Sequence, residues 1–162
     1  MAHKVVLFLM TSWFSTTCLI DFVALPTVFK MSSNIHEAGT IGMRLFSLYN
    51  RFELMVAAVV LSISFRYLMP QWCGKITLAL SSGLFLVAAL YFFYLTPKIT
   101  DLTNNMKVSF KIDPKGENFM LLAKEHGIYH HAYIKIDALK LVLLLVAQSL
   151  FFIPRFLEGE RT

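Results

Sequence analysis

Two histidines in the C-terminal third of the chain have a spacing that could hold a metal ion. His126 and His130 are four residues apart, so both imidazoles would lie on one face of a helix and could reach one metal ion. His131 would point about 100° away, and His36 is a further candidate from an earlier loop. We predict that no cofactor is bound and that these histidines lie at the membrane interface, where they are hydrogen-bonded. The alternative is haem b or copper bound at His126 and His130.

Ionisable side chains within apolar stretches form a second candidate site. Charges at such positions are rare in membrane helices and are often functional. The residues of this ionisable layer are Asp21, Arg51, Glu53, Asp137 and Lys140. We expect them at a similar depth, roughly 10 Å inside the ends of their helices at about 1.5 Å per residue.

A polar stripe from His126 to Asp137 should follow the same helix, because its residues recur at steps of four, three and four. We expect this stripe to face the interior of a bundle, where acids of the layer could pair with Lys140, Arg51 or Lys135. Three interpretations stay open. The charges fix the register of the helices at the membrane interface, line a path for a proton, an ion or a small solute, or form a cofactor site.

Motifs of the common enzyme classes do not occur in the sequence. There is no nucleophile elbow, phosphate loop, HExxH or dinucleotide fingerprint. Cys18 and Cys73 form no CxxC pair, and the net charge of +5 comes without a basic run interleaved with aromatics. These features favour a non-enzymatic protein, an accessory subunit or a bundle that handles a small solute or ion, and they argue against nucleic acid as a partner.

The composition indicates that lipid surrounds most of the molecule. Hydrophobic residues make up 57% of the 162 residues and charged residues 15%, whereas soluble domains are about 25% charged. The mean hydropathy is +0.63. A soluble core of this size could not bury so much apolar surface, so we predict an integral membrane protein.

Four apolar stretches are long enough to cross a bilayer, which takes about 20 residues. They cover about residues 5–28, 48–69, 75–96 and 132–153. A proline lies near the end of each, at Pro26, Pro70, Pro97 and Pro154, where we expect it to end the helix. The prediction is an all-α, single-domain, up-down four-helix bundle over residues 1–162.

The first and third loops should contain helical extensions beyond the bilayer. Residues 37–50 carry apolar side chains near helical spacing, and the fourth helix should begin near Glu117 or Asn118, after the "DPKG" turn. These two loops carry more lysine and arginine than the other face, which predicts that they are cytoplasmic in the cell (inner) membrane. A bundle this thin also favours self-association or docking to a larger membrane complex.

Several segments together resemble a known family. They are "ALPTVFK" at the end of the first helix, "EAGTIGMRLFSLYNRFE", "LTPKITDL" after the third helix, and a histidine that opens the fourth. In this order they resemble the transmembrane-protein-205-like family of small four-helix membrane proteins, a domain of unknown function. The resemblance implies a membrane bundle without an agreed activity. The matching positions are Pro26, Phe29, Ala38, Gly39, Phe46, Pro97 and His126.

A fainter resemblance points to haem or copper proteins. His3, the "SWF" segment at Ser12–Phe14, and Pro26 with Phe29 are similar to the first helix of copper-resistance-D-like proteins and HemJ-type protoporphyrinogen oxidases. This likeness implies the haem or copper alternative.

Overall fold

The computed structural model describes residues 2–33, 35–68 and 72–152, with no β-strand among them. The all-α prediction is confirmed for this part of the chain. Its α-helices are α1 (Ala2–Leu19), α2 (Leu25–Met31), α3 (Ile35–Ile63), α4 (Trp72–Leu90), α5 (Thr96–Ile112) and α6 (Glu117–Leu150). Wider π-helical turns follow α1, α3 and α4, at Ile20–Ala24, Ser64–Leu68 and Tyr91–Leu95. α1 and α2 form one continuous helix, as do α4 and α5.

Pro97 does not end the third helix, so that prediction is wrong. The helix continues through a π-turn into α5 and ends at Ile112. A proline has no N–H, and its ring clashes with the carbonyl four residues earlier. In the π-turn, the amide of Thr96 donates to the carbonyl of Tyr91, five residues back, and this wider turn makes room for the ring. The same arrangement carries the first helix past Pro26 to Met31.

The helical structure predicted for residues 37–50 and for the start of the fourth helix is confirmed. Residues 37–50 belong to α3, and α6 begins at Glu117. The turn before α6 is held by Asp113, which accepts from the amides of Lys115 through its side chain and of Gly116 through its carbonyl. Local hydrogen bonds of this kind favour a turn over a continued helix.

Three of the helices are long and apolar enough to cross a membrane. They cover Ala2–Met31, Glu37–Tyr67 and Gly74–Ile112. Large apolar side chains point outward, with Phe8 69% and Phe93 71% exposed, while Glu53 is fully buried. Soluble proteins place these residue types the other way round, so the distribution supports an integral membrane protein.

α6 packs against both α1 and α5 and places polar side chains between the helices. Near one end, Gln148 of α6 contacts Thr11 of α1 at 3.3 Å. Along α6, the buried Leu144 and Tyr133 belong to two different apolar clusters. Asp137 and Lys140 lie between them in sequence, so the apolar core is interrupted at this level by charge.

Candidate functional site

A buried ion-pair cluster joins α3 to α6. The Nζ atom of Lys140 lies 2.6 Å from Oε1 of Glu53 and 2.6 Å from Oδ1 of Asp137. The Glu53 side chain is 0% exposed and that of Lys140 is 1% exposed. Lys140 and Asp137 are three residues apart on α6 and therefore share a face of the helix, whereas Glu53 comes from α3.

Asp21 brings a third carboxyl group to the same place. It lies in the π-turn Ile20–Ala24, within hydrogen-bonding reach of Asp137. Its Oδ2 atom and the Oε2 atom of Glu53 are buried without a hydrogen-bond partner in the described part of the chain. We call Asp21, Glu53, Asp137 and Lys140 the carboxylate cluster, because it holds three carboxyl groups and one ammonium group.

Aromatic side chains enclose the carboxylate cluster. The indole N–H of Trp13 donates to Oε1 of Glu53 at 2.8 Å, and the Tyr91 hydroxyl donates to Oδ1 of Asp137 at 3.4 Å. The rings of Tyr49 and Tyr91 have their centroids 5.6 and 5.2 Å from the ammonium nitrogen. These distances are within the range of cation–π attraction, so the two rings stabilise the positive charge of Lys140.

A polar network connects this aromatic wall with a surface cleft. The buried Asn50 donates to Oγ1 of Thr96 at 2.6 Å and accepts from the Tyr133 hydroxyl at 3.2 Å. The Tyr133 ring stacks on that of Tyr91 at 4.4 Å. Asn50 and Thr96 also line a cleft of about 290 Å³ that includes the exposed Arg51. The cleft therefore reaches Asn50, which is linked to Asp137 of the carboxylate cluster through Tyr133 and Tyr91.

The structure places members of the predicted ionisable layer in two different environments. Glu53, Asp137 and Lys140 meet in the core and the half-buried Asp21 lies beside them, but Arg51 is exposed, as is Lys135. Residues two apart on a helix point about 200° from each other. Arg51 and Glu53 consequently face opposite sides of α3, and packing buries only one of them.

Three neutral members of the site were not predicted from the sequence: Trp13, Thr17 and Asn50. Trp13 and Thr17 are four residues apart on α1, and both are fully buried; Asn50 and Glu53 are three apart on α3, with the same burial. Each pair shares one helical face. Polar or amphipathic residues recurring on a single face of an apolar stretch were the available signal.

Two π-turns place Asp21 and Tyr91 beside Asp137. Each of these turns ends two residues before a proline, Pro26 or Pro97. A π-turn holds more residues than an α-turn and so rotates the residues after it relative to those before it. The position of each proline therefore influences which side chains reach the cluster.

His126 and His130 stack on each other near the start of α6, and they contribute nothing to the carboxylate cluster. Their ring centroids are 5.9 Å apart with an interplanar angle of 11°. Burial, and then the charge of His130, lowers the pKa of His126; burial, and then the charge of His131, lowers the pKa of His130. The His36 side chain lies outside the described residues. Among the described residues no three His, Cys, Asp or Glu side chains are arranged so that they could hold a metal ion.

The residues of the family-like motif surround α2 and the beginning of α3. Ala38 is buried and Phe29 is half exposed. The Phe46 ring packs against Tyr133 at 5.1 Å, and Gly39 has open space where a side chain would start. Pro26 and Pro97 each follow a π-turn by two residues. Apart from His126, the residues of this motif are not ionisable.

The comparison with known protein families identifies the chain. Residues 8–107, more than half of the chain, match the family described as a domain of unknown function, DUF4149, and the chain belongs to this family. No curated protein and no solved structure matches it. The matched residues include Asp21 and Glu53 but end before α6, so Asp137 and Lys140 lie outside the match.

Proposed function

We propose that this member of the DUF4149 family is an integral membrane protein that handles protons or another small cation at the carboxylate cluster. In this proposal α6 supplies the fourth span, about residues 132–153, and the helices form an up-down four-helix bundle that extends past the bilayer on the face of the first and third loops. That face is cytoplasmic, and the membrane is the inner membrane of the cell. The transmembrane-protein-205-like resemblance supports this architecture and does not specify a solute.

The observation that carries the proposal is the imbalance of buried charge. Two carboxyl groups, those of Glu53 and Asp137, pair with one ammonium group, and Asp21 adds a third carboxyl group beside Asp137. Two carboxyl oxygens, on Asp21 and Glu53, have no partner among the described residues. An uncompensated buried charge costs several kcal/mol per ion. A proton or small cation bound at these oxygens removes that cost, and a proton shared by Asp21 and Asp137 would make their contact attractive.

The cleft beside Asn50 supports an entry from the first-loop and third-loop face. Its floor contacts Tyr133, and the stacked Tyr91 donates to Asp137. Polar groups that line a path to buried acids are typical of proton and ion routes in membrane proteins.

Proton flux into liposomes tests this proposal. The purified protein is reconstituted with a pH-sensitive dye inside, and a potassium gradient with valinomycin drives the flux. We expect flux above that of empty liposomes, and a large loss in Asp21→Asn and Glu53→Gln. Glu117→Gln is the matched control, since Glu117 is exposed at the start of α6. Flux equal to that of empty liposomes, or unchanged in both variants, would refute a transport role.

An accessory-subunit role is the second hypothesis, favoured by the Glu53–Lys140 pair, which ties α3 to α6. Buried polar pairs fix register in some helical assemblies. In that case the wild-type protein carries no flux, and Glu53→Gln reduces recovery of a co-purifying complex or of a self-associated form, while Glu117→Gln does not.

The haem b or copper alternative depends on His126 and His130 alone in the described part of the chain. Neutral imidazoles are the form that binds metals, and the lowered pKa values favour that form. An absorbance spectrum and elemental analysis of the detergent-purified protein test it. A Soret band or stoichiometric copper that is lost in His130→Ala would establish the site. The absence of both signals from the wild-type protein would exclude this alternative.

A further inference from the structure

The Lys140 ammonium group occupies the position that a small cation would take in the carboxylate cluster. Its nitrogen lies 2.6 Å from one oxygen of Glu53 and 2.6 Å from one of Asp137, and faces the rings of Tyr49 and Tyr91. Hard cations such as calcium take carboxylate oxygens at about 2.3–2.6 Å, and aromatic faces attract monovalent cations. A desolvated sodium or potassium ion at this position would contact the same carboxylate oxygens and aromatic rings.

We infer, on the basis of the proposed function, that Lys140 is a specificity-determining residue that excludes alkali cations and leaves the proton as the ion exchanged. The ammonium group is attached to α6 only three residues from Asp137, so it competes at an effective concentration that a free ion cannot easily match. An alkali ion would have to displace it and leave the ammonium group buried without its carboxylates, which is strongly unfavourable.

A proton does not meet this competition. It adds to a carboxyl oxygen that has no partner, Oδ2 of Asp21 or Oε2 of Glu53, and forms one O–H bond there. Release returns the same proton and restores the carboxylate. Protonation of Asp21 leaves both ion pairs of Lys140 intact. Protonation of Glu53 at Oε2 neutralises that carboxyl group, but Oε1 still accepts the hydrogen bond from Lys140, which keeps its ion pair with Oδ1 of Asp137.

Thermal unfolding in detergent tests this inference without any transport measurement. The melting temperature is measured in sodium chloride, potassium chloride and choline chloride at equal ionic strength. We expect the same value in all three salts for the wild type. In Lys140→Met the vacated position accepts an alkali ion, so we expect a higher melting temperature in sodium or potassium than in choline. Lys135→Met is the matched control on the exposed side of α6, with no cation-specific shift expected.

A second variant covers the case in which Lys140→Met folds poorly. Asp137→Asn with Lys140→Met removes one charge of each sign and leaves Asp21 and Glu53 to bind the added ion, so we expect a cation-specific shift here too. Rescue of either variant by sodium or potassium supports the inference. A cation-specific shift in the wild type overturns it, and so does the absence of any shift or rescue in both variants while Lys135→Met folds. If these shifts appear but the wild type carries no proton flux, the proposed transport fails and cation exclusion by Lys140 stands.

Discussion

Replacement of Glu53 by glutamine separates the contribution of buried charge from that of hydrogen bonding. Lys140 and Trp13 both donate to the same atom, Oε1. The glutamine carbonyl can therefore still accept both hydrogen bonds. Its amide nitrogen then takes the place of Oε2, which has no partner among the described residues, and becomes a buried, unpaired donor.

The expected loss of stability follows from these contacts. Lys140 loses one of two charged partners and keeps Asp137 at 2.6 Å, so its charge is not stranded. A buried polar group without a hydrogen-bond partner costs about 1–3 kcal/mol, and we expect the unpaired amide donor of Glu53→Gln to lower the free energy of unfolding by about that amount. Lys140→Met leaves the acids without a base, and we expect a larger loss, about 3–5 kcal/mol.

A surface ion pair in the same protein is the control. Lys98 and Glu125 lie 3.0 Å apart, with side chains 38% and 39% exposed, and exposed pairs contribute about 0–1 kcal/mol. Glu125→Gln should therefore change stability by less than about 1 kcal/mol. Denaturant unfolding in detergent micelles, followed by circular dichroism, measures all three variants. Equal losses in Glu53→Gln and Glu125→Gln would refute the argument that burial makes the cluster energetically special.

Three further predictions concern other parts of the molecule. Trp13→Phe removes one hydrogen bond to the carboxylate cluster while keeping an aromatic ring, and should cost about 1–3 kcal/mol because it leaves a buried acceptor less satisfied; denaturant unfolding checks this. Because burial lowers the pKa values of His126 and His130 below the ordinary value of 6.5, the unfolded chain binds protons first as the pH falls. Their stabilising contribution is present above pH 6.5 and is lost as the pH falls through the lower folded-state pKa values. Melting temperatures measured from pH 8 to pH 5 should lose this pH dependence in the double variant His126→Gln with His130→Gln. Pro97→Ala should let an ordinary α-turn replace the π-turn and move Tyr91 away from the cluster, so that proton flux falls while helix content by circular dichroism stays the same.

The helices and their location in a membrane could be predicted from the sequence, because both depend on local properties of the chain. Apolar stretches of sufficient length indicate membrane helices whatever their neighbours are, and the described part of the chain contains three such helices. The start of α6 at Glu117 follows from a turn whose hydrogen bonds involve adjacent residues. The continuation of the third helix past Pro97 was not predicted, because a π-turn is a cooperative adjustment of several hydrogen bonds and a proline by itself is compatible with either outcome.

The sequence by itself determined that charges would lie within apolar helices, since Asp21, Glu53, Asp137 and Lys140 are written into those stretches. It did not determine which of them would pair. Arg51 and Glu53 are two residues apart, and only the rotation of α3 against α1 and α6 decides that the acid is buried and the arginine exposed. That rotation comes from the packing of side chains distant in sequence. Tertiary packing therefore decided that two acids, Glu53 and Asp137, share one ammonium group with Asp21 close by, because a buried charge is tolerated only where its partners are supplied.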